Sequence, residues 1–323
     1  MEMTKKLTLC LRILLRGAGQ VMFQNSALCG LLFMAGIFWG ACSDGRWPVA
    51  VGAVVGLVAA TLTGRLLHLP AEDGEQGLWG FNGVLVGCAL PTFVGNTAAM
   101  WAALVLCAAL TTWVRTGMNR VMQQWNINSL TFPFVLCTWF FLLAARGLHA
   151  LPPDGMSEPS LPSAFAGLHG ATFRDLTAYW LRGISQVFLI DSPLTGLLFL
   201  AGLAVSNWRS AVWAAAGSAV ALAAAIAMGG SAAGISHGLY GYSPVLTAIA
   251  LATVFYRPTW RSALWAVAGV LVTMVVQAGT DVLLSPVGLA TLTAPFCLTT
   301  WLFLLPMLRM DSTREPDHSD WKK

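Results

Sequence analysis

The chain reads as a succession of apolar runs separated by short polar stretches. Runs at 21–41, 48–63, 98–114, 130–145, 194–205, 211–228, 262–276 and 293–308 contain no Asp, Glu, Lys or Arg. Their lengths lie near the ~17–25 residues that a helix needs to span a bilayer. Two further stretches, 77–94 and 238–255, are apolar but interrupted by Gly and Pro, which suits helices broken or bent around a cavity. No segment alternates apolar and polar residues with a period of two, so the pattern predicts membrane helices and not a barrel.

The runs are not independent of one another. Leu130-Thr131-Phe132-Pro133-Phe134 returns as Leu292-Thr293-Ala294-Pro295-Phe296, and each copy leads at the same interval to a Thr-Trp pair, Thr138-Trp139 and Thr300-Trp301. Arg16-Gly17-Ala18-Gly19-Gln20-Val21 is matched by Arg182-Gly183-Ile184-Ser185-Gln186-Val187. Gly77-Leu78-Trp79-Gly80-Phe81 is matched by Gly238-Leu239-Tyr240-Gly241-Tyr242, with Val84-Leu85 and Val245-Leu246 beyond them. The order is the same in both halves, so the chain reads as a tandem duplication of one membrane unit.

Composition agrees with that reading. Of 323 residues, 57% are apolar and 10% charged, too little polar surface for a soluble domain of this size. Arg12 and Arg16 interrupt any signal-like apolar stretch at the N-terminus, so no cleavable leader is expected. With five spans in each half and a cytoplasmic N-terminus, most basic residues, among them Lys5, Lys6, Arg65, Arg115, Arg209, Arg261 and Arg309, fall on the cytoplasmic side, as the positive-inside rule asks. An odd number of spans turns the second copy over in the bilayer, giving inverted repeats.

The expected organisation is a first membrane repeat over 1–146, an extracytoplasmic Pro/Ser/Gly-rich linker over 147–175, a second membrane repeat over 176–310 and a cytoplasmic polar tail over 311–323. Glu72, Asp73 and Glu75 read as a solvated loop. The seven cysteines have no metal-like spacing and read as small buried apolar residues. The basic residues form no stripe, so nucleic acid is not expected as a partner.

Inside the runs a few uncharged polar residues recur, namely Gln20, Gln186, Thr131, Thr293, Asn82 and Gln277. A lone Gln in a membrane helix commonly joins two helices. Two Gln residues at equivalent places can also line a shared path. Thr131 and Thr293 each stand two residues before a Pro, where a helix begins, and suit both an N-cap and a polar group at membrane depth. Aromatic and aliphatic residues accompany them at matched positions: Phe23, Phe81 and Leu85 in the first half, Leu189, Tyr242 and Leu246 in the second. They predict flat walls around a slot.

Those motifs together resemble the urea transporter family, in a bacterial form. The resemblance runs from about residue 12 to 308. It rests on Leu15-Arg16-Gly17-Ala18-Gly19-Gln20-Val21, on Gly77-Leu78-Trp79-Gly80-Phe81-Asn82-Gly83-Val84-Leu85-Val86-Gly87, and on the repeated Leu-Thr-x-Pro-Phe. It implies an all-α polytopic membrane protein, with two inverted repeats of five transmembrane helices plus a re-entrant or tilted helix each, around a central pore. It also implies a homotrimer in the inner (plasma) membrane, each protomer with its own slot, both termini cytoplasmic, and neither cofactor nor metal. The family's pore Gln or Glu falls on Gln20 and Gln186, its pore threonines on Thr131 and Thr293, and its slot aromatics on Phe23, Phe81 and their second-half partners. Two positions depart from it: Leu189 stands where symmetry would place an aromatic, and Tyr242 carries a hydroxyl where Phe is usual. Asp191, opposite Asn25 of the first half, reads as an interfacial cap.

The implied activity is passive permeation of urea, with short amides and water as further candidates. Urea is neutral and planar, with four N–H donors, and a purely apolar hole would reject it, because an unpaired polar group in an apolar medium costs roughly 2–7 kcal/mol. Oxygens of Gln20, Gln186, Thr131 and Thr293 could accept those donors while the walls sandwich the plane. The alternative is an ion-coupled secondary transporter, which shares inverted repeats but calls for an intramembrane acid. Asp191 and Asp281 are the candidates, both near span ends. No metal-spaced cluster or activated nucleophile points to an enzyme.

Overall fold

The computed structural model describes residues 2–161, 166–168 and 170–306. The expected polar tail at 311–323 lies outside the described residues. Among the described residues fourteen α-helices follow one another as two sets of seven in matching order. The first set is α1 (Glu2–Gln20), α2 (Ala27–Ser43), α3 (Trp47–Leu66), α4 (Ala71–Glu75), α5 (Phe81–Phe93), α6 (Ala98–Met122) and α7 (Phe132–Ala145). The second is α8 (Phe173–Ser185), α9 (Pro193–Ser206), α10 (Trp208–Ala227), α11 (Ala232–Ser236), α12 (Tyr242–Ile249), α13 (Trp260–Leu284) and α14 (Ala294–Leu304). Among the described residues the only β pairing is an isolated bridge between Gly167 and Ser231. The protein is therefore an all-α polytopic membrane protein.

Among the described residues four stretches are long and apolar enough to cross a bilayer alone, and they are matched pairs: Trp47–Leu66 with Trp208–Ala227, and Ala98–Trp125 with Trp260–Val287. Ala27–Ser43, Phe81–Phe93, Phe132–Ala145, Tyr242–Val254 and Ala294–Leu304 are shorter apolar helices than the runs that hold them. The run at 21–41 does not form one helix. Phe23 takes a left-handed backbone conformation, with φ of +62°, which ends α1, and α2 starts only after Ser26, whose side chain accepts the Cys29 N–H. At 17 residues α2 reaches ~26 Å, short of the ~30 Å hydrocarbon core. Leu189 breaks the second half at the equivalent place with φ of +58°, and there α8 and α9 meet at a bend of 71°.

Apart from Gly45 and Gly170, the left-handed residues among those described form symmetric pairs. Phe23 pairs with Leu189, His68 with Gly229, Gly77 with Gly238, Asn126 with Gly288 and Leu130 with Leu292. A side chain in this region costs ~1–2 kcal/mol, so its recurrence at equivalent loops reflects one backbone path used twice. The halves meet through reciprocal contacts. The Trp139 indole donates to the Ala290 carbonyl at 2.9 Å, and the equivalent Trp301 donates to the Asn128 carbonyl at 2.9 Å. Across the same axis α2 packs on α9, where the Thr195 hydroxyl donates to the Gly36 carbonyl and Phe33 lies 4.9 Å from Phe199. These are the contacts of a pseudo-two-fold pair.

Within the first half α3 and α5 approach closely because both present glycines. A Cβ on Gly87 would come 2.0 Å from the Gly52 carbonyl oxygen, and one on Gly56 would come 2.2 Å from that of Gly83. Spaced four apart on each helix, these glycines let the backbones touch, which is how helices associate when lipid supplies no hydrophobic drive.

Three local expectations are revised. Cys29, Cys88, Cys107, Cys137 and Cys297 are buried, but Cys10 and Cys42 are exposed on helix surfaces. Asp73 is not merely solvated: it accepts from the Arg115 guanidinium at 3.2 Å, because Arg115 is otherwise almost fully buried and needs a counter-charge. The linker assigned to 147–175 ends sooner, since Thr172 and Asp175 form a capping box that starts α8 at Phe173.

Candidate functional site

In the first half α1 ends on Gln20, and the Phe23 N–H closes the turn on the Gln20 carbonyl at 3.1 Å. The left-handed turn directs the Phe23 ring inward, edge-on to Phe255 and Phe296 at 6.0 Å each. Gln20 Nε2 donates to the Gln76 carbonyl at 2.9 Å, and Arg16 donates to the neighbouring Glu75 carbonyl at 2.9 Å. Both bonds tie α1 to the turn before α5. Gly77, with φ of +79°, makes that approach possible, since a Cβ there would sit 2.3 Å from the Gly17 nitrogen. Phe81 opens α5, with the Arg115 guanidinium 5.7 Å above its ring.

The second half repeats the plan with different chemistry. Gln186 Nε2 donates to the His237 carbonyl at 3.0 Å, and Arg182 donates to the Ser236 carbonyl at 2.9 Å. The Leu189 N–H closes on the Gln186 carbonyl at 2.9 Å. Asp191 is paired, not capping: Arg182 stands 2.8 Å away and the His237 ring is hydrogen-bonded to its other oxygen. Ser192 caps α9 instead. Tyr242 opens α12, and its hydroxyl lies 2.8 Å from Thr291 Oγ1 and 3.2 Å from Gln277 Nε2.

The two short helices α7 and α14 begin beside each other. Thr131 and Thr293 occupy their N-cap positions, but neither side chain caps its helix. Their hydroxyl oxygens are 2.7 Å apart, and Cys297 Sγ is 3.4 Å from that of Thr131. The first turn of α7 is satisfied otherwise. The Phe132 N–H reaches the Ser129 carbonyl, Pro133 has none to satisfy, and the Phe134 N–H donates to Asn82 Oδ1 at 3.2 Å. Leu85 and Leu246 are fully buried on α5 and α12.

Chemically the arrangement offers acceptors. The partners of Gln20 and Gln186 are carbonyls, so the bonded atom of each amide must be the nitrogen, and the orientation follows from chemistry. Each Oε1 then has no hydrogen-bond partner among the described residues. Two amide oxygens on half-buried glutamines, one in each half, and a pair of touching hydroxyls suit a ligand rich in N–H groups.

A profile of the urea transporter family matches residues 11–307. The chain belongs to the urea transporter family. It is 29% identical over 301 residues to urea transporter 1 of Ovis aries, covering 90% of this chain and 75% of that protein, and equally similar to that of Capra hircus. The corresponding protein of Rattus norvegicus is 28% identical over 300 residues. Family membership makes the chain a membrane transporter and not an enzyme, in agreement with the resemblance read from its motifs.

Within this urea transporter fold, the residues singled out in the sequence take matched places in the two halves. Gln20 and Gln186 precede the matching left-handed turns at Phe23 and Leu189, Phe23 packs edge-on against Phe255 and Phe296 of the other half, Thr131 and Thr293 touch, and Leu85 and Leu246 are buried one helical turn beyond Phe81 and Tyr242. Sequence reasoning did not assign Arg115, Thr291, Cys297 or Phe255 to the site. Thr291 had a signal, since it stands two residues before Thr293 as Ser129 does before Thr131. Arg115 read only as a cytoplasmic positive charge.

Proposed function

We propose that urea crosses this protein passively through a slot between the two repeats. Gln20 and Gln186 accept its N–H groups at the mouths, Thr131 and Thr293 serve it in the middle, and Phe23, Phe81, Leu85, Leu189, Tyr242 and Leu246 form the walls. Facilitated urea permeation is the activity of the family. The observation that carries the route is the anchoring of both amides by their nitrogens, at 2.9 and 3.0 Å, which leaves each Oε1 to the path. An ion-coupled carrier finds no support, because Arg115, Asp191, His237 and Asp281 stand at or near helix ends or mouths, whereas Thr131 and Thr293 contact each other and Cys297.

The further elements of the reading are a homotrimer with one slot per protomer, an inner-membrane location and cytoplasmic termini. The charge bias of the loops supports the orientation. Many large apolar side chains, such as Leu106, Trp113, Phe140 and Leu264, face outward, which supports contact with lipid or with neighbouring protomers.

Stopped-flow shrinkage of proteoliposomes in a urea gradient tests the route. Replacing Gln20 or Gln186 with Leu removes one acceptor and the anchoring bond, and a lost hydrogen bond of about 1.4 kcal/mol slows flux about tenfold. Undiminished flux in either folded variant would discard that Gln from the path.

A further inference from the structure

The two mouths differ in how they hold the aromatic residue that opens their inner helix. In the first half that residue is Phe81, which has no hydroxyl. The residue at the place of Gln277 is Arg115, which lies over the ring and turns to Asp73. The residues at the places of Asp281 and Thr291 are Asn119 and Ser129, and they bond to each other, the Ser129 N–H donating to Asn119 Oδ1 at 2.8 Å.

In the second half the same three places surround a phenol. Gln277 on α13 is 1% exposed and Thr291 2% exposed. Gln277 Nε2 donates to Thr291 Oγ1 at 2.6 Å and lies 3.2 Å from the Tyr242 hydroxyl and 3.3 Å from Asp281 Oδ1. The Asp281 carboxylate only accepts, so the nitrogen of the amide must face this group, although Gln277 Oε1 is thereby left buried without a partner among the described residues. A buried polar atom left in that state costs roughly 1–3 kcal/mol. The arrangement accepts this while it keeps the phenol bonded.

We propose that Gln277 and Thr291 are positioning residues for permeation: they hold the Tyr242 hydroxyl toward α13 and away from the slot, so that the second mouth presents a ring wall as Phe81 does at the first. The proposal rests on the slot described above. Without the two partners the hydroxyl keeps only Ser243 beside it and is released toward the permeant and its water. It then retains urea at a place where weak binding is needed for throughput.

A double-variant cycle tests it in proteoliposomes, with urea and N-methylurea as probes. In the Tyr242 background, Gln277→Leu and Thr291→Val each slow urea flux about three- to tenfold, the range expected for one misplaced hydrogen bond. In the Tyr242→Phe background, where no hydroxyl remains to be held, the same substitutions change flux less than about twofold, and the urea to N-methylurea ratio stays that of Tyr242→Phe. A role of Gln277 or Thr291 in helix packing alone would predict equal losses in both backgrounds, and that result overturns the proposal. So does undiminished flux of Gln277→Leu and Thr291→Val in the Tyr242 background. The failures are separable. Loss of flux in Gln20→Leu without rescue in the Tyr242→Phe pairs discards the positioning role alone, whereas full flux in Gln20→Leu and Gln186→Leu discards the path on which it rests.

Discussion

Thr131 and Thr293 come from opposite halves of the chain, yet their hydroxyl oxygens are 2.7 Å apart at the start of α7 and α14. One hydroxyl donates and the other accepts, so together they retain lone pairs and one proton for a third molecule. Neither spends its oxygen on capping its own helix. The pair belongs to the pseudo-two-fold interface, and substituting one member strands the other in a buried site.

That relationship separates shape from chemistry. Val is nearly isosteric with Thr but has no hydroxyl, whereas Ser keeps the oxygen and loses only a methyl. Thr131→Ser is expected to carry urea about three- to tenfold faster than Thr131→Val, the value of one buried hydrogen bond. Initial rates of urea flux in proteoliposomes of matched protein content decide it. Equal rates would reduce both threonines to structural residues.

Leu189 offers a second test. It takes the same left-handed turn as Phe23 but has a smaller, softer side chain than the aromatic that symmetry would supply. Leu189→Phe should narrow the slot beside it and lower N-methylurea flux relative to urea by about fivefold or more, since an added methyl in a confined pocket is worth ~1–3 kcal/mol of discrimination. Flux ratios measured side by side check this, and identical ratios would place residue 189 off the path.

Passive transport makes a prediction about driving forces. Urea is neutral, and the bond that holds the Gln186 amide goes to the backbone carbonyl of His237, not to its ring. Flux should therefore follow the urea gradient alone. It should not change with membrane potential, with removal of Na⁺, or across roughly pH 6 to 8, where an imidazole ordinarily changes charge. Accumulation of labelled urea against its gradient in vesicles given only a proton or sodium gradient would contradict this.

The contact between α3 and α5 predicts a loss of stability. A methyl on Gly87 would meet the Gly52 carbonyl oxygen at 2.0 Å, and backbone cannot swing aside as a side-chain tip can. Gly87→Ala should cost ~1–3 kcal/mol or more through forced separation of the helices. A lower thermal midpoint in detergent, by intrinsic fluorescence or size exclusion, reads it out. Gly117→Ala, where a new methyl meets nothing within 4 Å, serves as the control and should leave the midpoint within a degree or two.

The class of protein, its helices and its internal duplication were legible in the residues themselves. Burial in a bilayer requires uncharged runs of a set length, and a duplicated unit keeps its turn-forming and helix-starting residues, as Gly77 and Gly238 or Pro133 and Pro295 do. Such features depend on neighbours along the chain, so spacing alone carries them. What spacing could not carry is how the copies are set against each other and how each side chain is satisfied. The left-handed turns at Phe23 and Leu189 use residues with no intrinsic preference for that conformation, and the surrounding packing imposes it. The bonds from Gln20 to the Gln76 carbonyl and from Gln186 to the His237 carbonyl decide which end of each amide is free, and a carbonyl leaves no mark in the sequence. The Thr131–Thr293 contact, Arg115 over Phe81 and the bonding of Tyr242 to Thr291 and Gln277 join residues far apart along the chain. Only close packing in three dimensions, where each buried polar atom must find whichever partner lies nearest, settles those.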